Sequence, residues 1–349
     1  MKKLKYEVRF VTPAFLGNAT QAAQWRTPPF KALLRQWWRV AYAADHGFSV
    51  DVAAMRREEG LLFGHARLDD DCDERGKKVS VRKSLVRIRL DIEGDYSDEV
   101  WARGTQRGVA PLRTDISTSY AWFGLARRGA GQPDRTGIRS GKEEGERVLL
   151  ISLPDQYVSR IENIMRLIDA LGQLGSRSRG GWGSFQLVDI HRLTAPEMTR
   201  YAQPIQKCLV QEWPMSLGTD LKGLCLWESR STFPTWDRAM RILATERRNI
   251  RTSLKAINGL DLRRALGFAG EGRLASPLRW KVYERETNEL AIRAFAMPNR
   301  LPANNDKSLS GDKLLQAWTK VCEALDSSNL FQPRTYGACS MHAQGRGSK

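Results

Sequence analysis

Apolar and polar positions alternate first at residues 5–11, where Tyr6, Val8 and Phe10 face away from Lys5, Glu7 and Arg9. That period of two predicts an opening strand. A stretch rich in turn formers follows, ending in Pro28 and Pro29. Paired prolines suit a first helical turn, so a helix is predicted over 30–44. Leu34, Trp38 and Ala41 share one face of it with Trp37 adjacent, and Lys31, Arg35 and Arg39 fall at i, i+4 and i+8 on another. In 80–94, Val86, Ile88, Leu90 and Ile92 alternate with Leu85, Arg87, Arg89 and Asp91, which predicts a strand. Further strands are expected over 116–125, 148–154 and 183–193. Ile161, Ile164, Met165, Ile168 and Leu171 at helical spacing predict a helix over 155–174.

The first half therefore runs strand, helix, strands, helix, strand, a βαββαβ order of the ferredoxin-like kind with insertions. A linker is read at 194–211, after which the pattern restarts: a strand at 220–229, a helix at 234–257, two strands flanking the turn Arg285–Asn288, and a helix over 310–325. The predicted fold is α+β, two tandem ferredoxin-like domains over 1–195 and 212–340. No internal sequence repeat supports the duplication; it rests on element order alone.

Length and composition agree with two globular domains: 349 residues, 41% hydrophobic and 27% charged. Charge changes the picture more. Lys and Arg total 56 against 39 Asp and Glu, a formal net charge of +17. An excess of that size favours a polyanionic partner, because basic side chains attract phosphates and release their counterions. No apolar run approaches 18 residues, which argues against a membrane span. The basic start lacks the apolar core of a signal peptide. Five widely spaced cysteines without a CxxC pair point to a reduced, cytoplasmic setting and away from a disulfide scaffold or zinc ribbon. The four histidines form no metal-ligand spacing, and no metal or cofactor is expected.

Four stretches could carry chemistry. The ten-mer GSRSRGGWGS at 175–184 holds four glycines and two arginines. Glycines let backbone N–H groups form anion-binding nests, with Arg177 and Arg179 adding charge-assisted bonds. It is no Walker A loop, since Gly181 stands where that loop needs lysine, and it follows a helix rather than opening one. A solvated helix-to-strand loop fits the same composition. The second stretch, WRTPPFKALLRQWWR at 25–39, mixes Arg26, Lys31, Arg35 and Arg39 with three tryptophans, a mixture that suits single-stranded nucleic acid. Core packing of Trp37 and Trp38 is the plainer explanation of the aromatics. The third is the helix at 234–257, whose Arg238, Arg241, Arg247, Arg248, Arg251 and Lys255 meet only Asp237 and Glu246; RNA, an acidic neighbour or plain solvent could face it. The fourth is the acidic run Asp69, Asp70, Asp71, Asp73 and Glu74, which lacks the spacing of a calcium loop.

Two of these stretches resemble the RAMP proteins of CRISPR–Cas effectors. FVTPAFLGNATQAAQWRTPPFKALLRQWWR looks like that family's first strand and first helix, and GSRSRGGWGSF looks like its glycine-rich loop before the last strand of a ferredoxin-like domain. GRLASPLRW at 272–280 is similar to the second half of the first RAMP subunit of type III-B (Cmr) complexes, which the chain most resembles overall. The resemblance implies a subunit of two ferredoxin-like domains that sits at one end of a ribonucleoprotein, touches guide RNA and captured target RNA, contacts other RAMP subunits and is not itself catalytic. Carried over residue by residue, Gly175, Arg177, Arg179, Gly181, Gly183, Lys31, Arg35 and Arg39 would face or support RNA; Arg26, Trp182 and Arg273, within the same stretches, complete the candidate RNA-binding set. The insertion at 127–147 departs from the pattern.

The rival expectation is a RAMP-type endoribonuclease that processes guide or cleaves target RNA. Asp115 and Asp220 are carboxylates it could use, although no general acid–base pair stands out. A third is an interaction protein whose basic helix docks an acidic neighbour.

Overall fold

The structure is a computed structural model that describes residues 1–19, 23–66, 68, 71–91, 120–121, 125, 137–140, 146–254, 261–268, 273–302, 309 and 311–334. The run Lys2–Phe10 forms the opening strand and pairs antiparallel on both sides, with Arg147–Leu153 and with Phe185–Val188. Arg87–Asp91 joins the far side of Arg147–Leu153. In order of sequence, the four strands lie second, third, first, fourth, all antiparallel. Among the described residues, Phe185–Val188 is therefore one edge strand of this sheet and Arg87–Asp91 the other.

Two helices, Thr27–Asp45 and Val158–Leu171, pack on one another and on this sheet. Pro28 and Pro29 occupy the first turn as expected, and Phe30, Leu34, Trp37, Trp38 and Ala41 are buried. The alternation at 86–90 is also observed: Val86 and Leu90 are buried, Arg87 and Arg89 exposed. The predicted long strand at 80–94 is broken, however. Leu85 and Val86 donate their N–H groups to the Leu62 carbonyl, and the Ser84 hydroxyl turns to the Val86 carbonyl. A helix at Val52–Phe63, started by the Asp51 carboxylate on the N–H groups of Ala53 and Ala54, had no counterpart in the predicted pattern. Most of the expected strand at 116–125 and of the 127–147 insertion lies outside the described residues. Within the insertion, Ile138 is buried and bridges Ala14.

The second half holds a three-stranded sheet in which Leu290–Ala296 lies between Leu226–Glu228 and Leu278–Glu284. The strand expected at 220–229 is split by a turn whose tip, Leu221, is exposed. Helices Trp236–Ser253 and Asp312–Asp326 follow the first and last of these sheet strands, and Phe331 then bridges Ser229 beside the first. The segment read as a linker is folded. Thr194 and Glu197 make a reciprocal capping box, Met198 and Tyr201 enter the first core, and Ala202–Pro204 pairs in parallel with the Leu217–Asp220 strand. The cores also interpenetrate: Phe15 and Trp182 belong to the second, while Leu226 and Phe295 belong to the first.

The two halves meet edge to edge. Leu278–Glu284 has its free edge against Phe185–Val188, and side chains stand in for a strand partner. Val282 N–H donates to the Ser184 hydroxyl (3.1 Å), Glu284 N–H to the Gln186 carboxamide oxygen (3.3 Å), and the Gln173 amide to the Trp280 carbonyl. Strand alternation sends Trp280 and Val282 into the second core and turns Arg279, Lys281 and Tyr283 to the opposite face. Lys281 is fully buried there, its ammonium nitrogen donating to the carbonyls of Asp169 and Gly172 at the C-terminal end of a helix and lying 5.2 Å from the Phe185 ring centre. Burial lowers the Lys281 pKa to about 7, with Asp169 opposing. The neutral amine keeps two N–H donors for the two carbonyls, so deprotonation costs neither bond.

A folded pKa near 7 against an ordinary value of 10.5 sets the sign of a pH effect. Between those limits the unfolded chain binds the extra proton, so stability rises with pH through that window. Wild-type stability should gain about 1–3 kcal/mol between pH 7 and 9 relative to Lys281→Met, read as urea midpoints of the two proteins at each pH. Parallel pH dependences in the two proteins would refute this.

Candidate nucleic-acid interface

The first helix brings its cations to a groove against the sheet edge. Lys31 and Arg35 line it with Thr27, Pro28, Ser84 and Arg87, enclosing about 450 Å³. Three of its nine lining residues are cations and none is acidic. The Lys31 pKa is lowered, first by partial burial and then by Arg35. Arg87 comes from the edge strand, where alternation aims it outward. Arg39 takes a different part. Its Nε and Nη2 hold both oxygens of Glu59 at 2.7 and 2.8 Å, and Arg35 Nε donates to the same carboxylate at 2.6 Å. Glu59 is buried on the Val52–Phe63 helix, so one carboxylate balances two arginines and the pair keeps a net charge of one. Arg26 is the half-buried residue before the helix, in extended conformation.

The tryptophans do not join these cations at a surface. Trp37 and Trp38 are buried, with the Arg160 guanidinium 5.3 Å from the Trp38 ring. Only Trp25 is half-exposed, stacked on Phe30. Base stacking on Trp37 or Trp38, which the interleaved sequence suggested, has no open ring face to use.

The glycine-rich ten-mer is two things at once. Gly175 and Arg177 are exposed, and Arg177 adopts a left-handed φ of 57° at the tip. From Gly180 to Ser184 the segment is buried. Trp182, 1% exposed, fills the second core against Phe15 and Trp236 and donates its indole N–H to the Ala121 carbonyl at 2.9 Å. It has no face left for a base, so its place in the candidate set is corrected to a structural one. Gly181 and Gly183 are buried as well, in the supporting position the resemblance allows. At Gly181 (φ 98°) a Cβ would press on Leu243 and Met240; at Gly183 (φ 61°) it would overlap the Leu174 carbonyl oxygen. Half of the N–H groups of the expected nest are already engaged. The N–H groups of Ser176, Gly180, Gly181 and Gly183 donate to the carbonyls of Phe15, Arg177, Ser178 and Pro13, and that of Ser184 to the Thr12 hydroxyl. The glycines serve close packing, and the arginines carry what charge the loop offers. Arg179 is largely buried and donates to the Ser276 carbonyl at 2.9 Å, while Arg273 is exposed nearby in sequence.

The basic helix Trp236–Ser253 also turns part of its charge inward. Arg247 lies over Tyr120, its ring centre 5.2 Å away, and reaches the Gly180 carbonyl; Arg251 reaches the carbonyls of Arg263 and Gly267. Arg238 and Arg248 stay exposed; Lys255 lies outside the described residues.

The carboxylates have structural partners. Asp71 is held by Arg82 at both oxygens and by His65, and the Arg82 hydrogen bonds lead the fall of its pKa to about 2. Asp69, Asp70 and Asp115 lie outside the described residues. Asp220 is held at both oxygens by Arg334 (2.9 and 2.7 Å), which also binds Asp326. Beside it, Cys225 and Cys322 come within 3.9 Å, a pairing invisible at 97 residues' separation. Asp220, Cys225 and Cys322 are close enough to share an ion, but the Arg334 guanidinium already occupies the counter-charge of Asp220.

No protein-family model and no curated protein matches the chain. Among solved structures, it is similar to Cmr1 from Pyrococcus furiosus in its apo form, with 17% identity, 93% of this chain and 97% of that one covered, and a TM-score of 0.47. It is similar to a chain of the type III-B Cmr-beta complex bound to cognate target RNA, with 11% identity, 90% and 98% covered, and a TM-score of 0.47. A chain of a type IV-B CRISPR complex matches over 56% of this chain and 94% of its own, with 12% identity and a TM-score of 0.33.

Gly183→Ala should cost about 3 kcal/mol or more in a urea titration, because strain and overlap add. Gly47→Ala, at a similar φ of 58° in open space, should cost only about 1 kcal/mol. Equal losses would contradict the role given to Leu174.

Proposed function

We propose that this chain is an RNA-binding, non-catalytic subunit of a type III-B CRISPR ribonucleoprotein, contacting guide RNA, captured target RNA or both beside other RAMP subunits. The observation that carries the reading is the groove between the first helix and the sheet edge, where Lys31, Arg35 and Arg87 converge without an acidic lining residue. Cations converging on a shallow groove fit a phosphate backbone, and single strands follow such grooves with little sequence preference. The motif resemblance of residues 10–39 and 175–185 supplies the biological setting. A binding role is further supported by Asp220, whose two oxygens are both engaged by Arg334. Two tandem ferredoxin-like domains are part of the same proposal. The second-third-first-fourth order of the first sheet supports the N-terminal one, and the sheet with Phe331 beside its first strand supports the C-terminal one.

Single-stranded RNA binding should weaken with salt, with a log–log slope of about −0.7 per neutralised phosphate. Lys31→Gln with Arg87→Gln should flatten that slope by about 1.4, measured by filter binding across a salt series. A slope unchanged from wild type would remove the groove from the RNA path.

Glu59→Gln gives the opposite sign. It should cost about 1–2 kcal/mol of stability by leaving Arg35 and Arg39 without their carboxylate, a loss limited by the exposure of both arginines. It should also tighten RNA binding by adding a net positive charge beside the groove. Weaker RNA binding by a folded Glu59→Gln protein would count against that charge logic.

A further inference from the structure

The face of Leu278–Glu284 turned toward the first half carries two buried cations, and their surroundings differ. Lys281 meets two helix-terminal carbonyls. Arg279, 4% exposed, has an Nε with no hydrogen-bond partner. With the Gln36 carboxamide turned so that its oxygen faces the guanidinium, the terminal nitrogens of Arg279 lie 2.6 and 3.2 Å from it, and the Trp37 ring centre is 6.0 Å away. An amide oxygen and a ring face are neutral, so they solvate the charge without cancelling it.

Arg179 is beside it. The parallel bridge between Gly180 and Trp280, with Trp280 N–H on the Arg179 carbonyl at 3.1 Å, puts Arg179 and Arg279 at adjacent register positions of two paired segments. The Arg179 guanidinium donates to the Ser276 carbonyl, again a neutral acceptor. Among the described residues neither arginine is paired with a carboxylate. Burial, and then Arg179, lowers the Arg279 pKa to about 9, so the group stays charged at neutral pH. Like charges in register repel, and a buried charge lacking its counter-ion is costly. Planar guanidinium forks match the oxygens of a phosphate, and two at adjacent register positions offer it charge from both segments. Arg179, with Arg273 and Ala275 exposed close by in sequence to its partner Ser276, lies toward solvent, and Arg279 lies deeper.

We propose that Arg179 and Arg279 form a binding site for a single phosphate group, and, on the RNA-binding reading above, for one phosphodiester of the bound strand. Occupation supplies the missing negative charge at the seam and so tightens the junction of the two halves.

Thermal unfolding of the full chain tests this at matched ionic strength, with inorganic phosphate against chloride and the dinucleoside monophosphate UpU against uridine. Phosphate and UpU should each raise the midpoint by about 2–4 °C near saturation, and uridine should not. Arg279→Met should raise the midpoint in chloride, because an uncompensated charge leaves the interior, and should abolish both shifts. Arg179→Gln, nearer the surface, should abolish them with little change in the chloride midpoint, and the exposed Lys313→Gln should keep them. Phosphate shifts that persist in Arg279→Met and Arg179→Gln would overturn the site, as would their absence in wild type. A response to phosphate without one to UpU would overturn the phosphodiester assignment. The groove reading fails separately, through an unchanged RNA salt slope in the Lys31 and Arg87 variant while these shifts stand.

Discussion

Two sheet edges that meet without forming a ladder hold this molecule together. An edge strand presents unpaired N–H and C=O groups that must find partners. Here Ser184, Gln186 and Gln173 of the first half satisfy Leu278–Glu284 of the second through their side chains. Such a join fixes the relative position of the halves without merging their sheets. It also leaves a polar seam in which Lys281, Arg279, Arg293 and Glu284 are covered. Arg293 pairs with Glu228 and donates to the Ala170 carbonyl, and Glu284 accepts from Arg9 and Gln186, whereas Arg279 meets no carboxylate among the described residues.

The glycine-rich loop follows from that constraint. It leaves a helix of the first half, inserts Trp182 into the core of the second, and returns as the edge strand that the second half needs. A Cβ at Gly181 would press on the Met240 and Leu243 side chains and one at Gly183 on the Leu174 carbonyl, so glycine lets the backbone pass close to its neighbours at both positions. The same passage draws Arg179 beside Arg279. A loop whose composition suggests an open cradle for phosphate is thus mainly a hinge pin, with charge at its tip and along one side.

Charge is distributed by the same logic. The chain's excess of 17 positive charges is not a uniform coat. Arg39, Arg334 and Arg293 are bound to carboxylates, and Arg247 and Arg251 to carbonyls. Lys31 and Arg87 meet no acid in the groove they line, and Arg35 shares a single one with Arg39. These are the places where a polyanion gains most.

Local patterns decided much on their own. Alternation at 6–10 and 86–90, helical spacing at 161–171 and 314–325, and the proline pair before the first helix are short-range signals, and the described elements follow them within a few residues. The basic stripe of the first helix was also legible, since i, i+4 spacing alone sets it. Other features needed the folded chain. Leu278–Glu284 alternates like any half-exposed strand, and nothing within it says that its polar face is covered, which is why Lys281 and Arg279 are buried. Glu59, 20 residues beyond Arg39, became its partner only when a second helix packed on the first. Cys225 and Cys322, and Asp220 and Arg334, likewise met through tertiary packing. The sequence by itself determined most of the strongly periodic elements and the net positive charge. Which cations are buried or paired was decided by tertiary structure, because burial and pairing depend on residues distant along the chain.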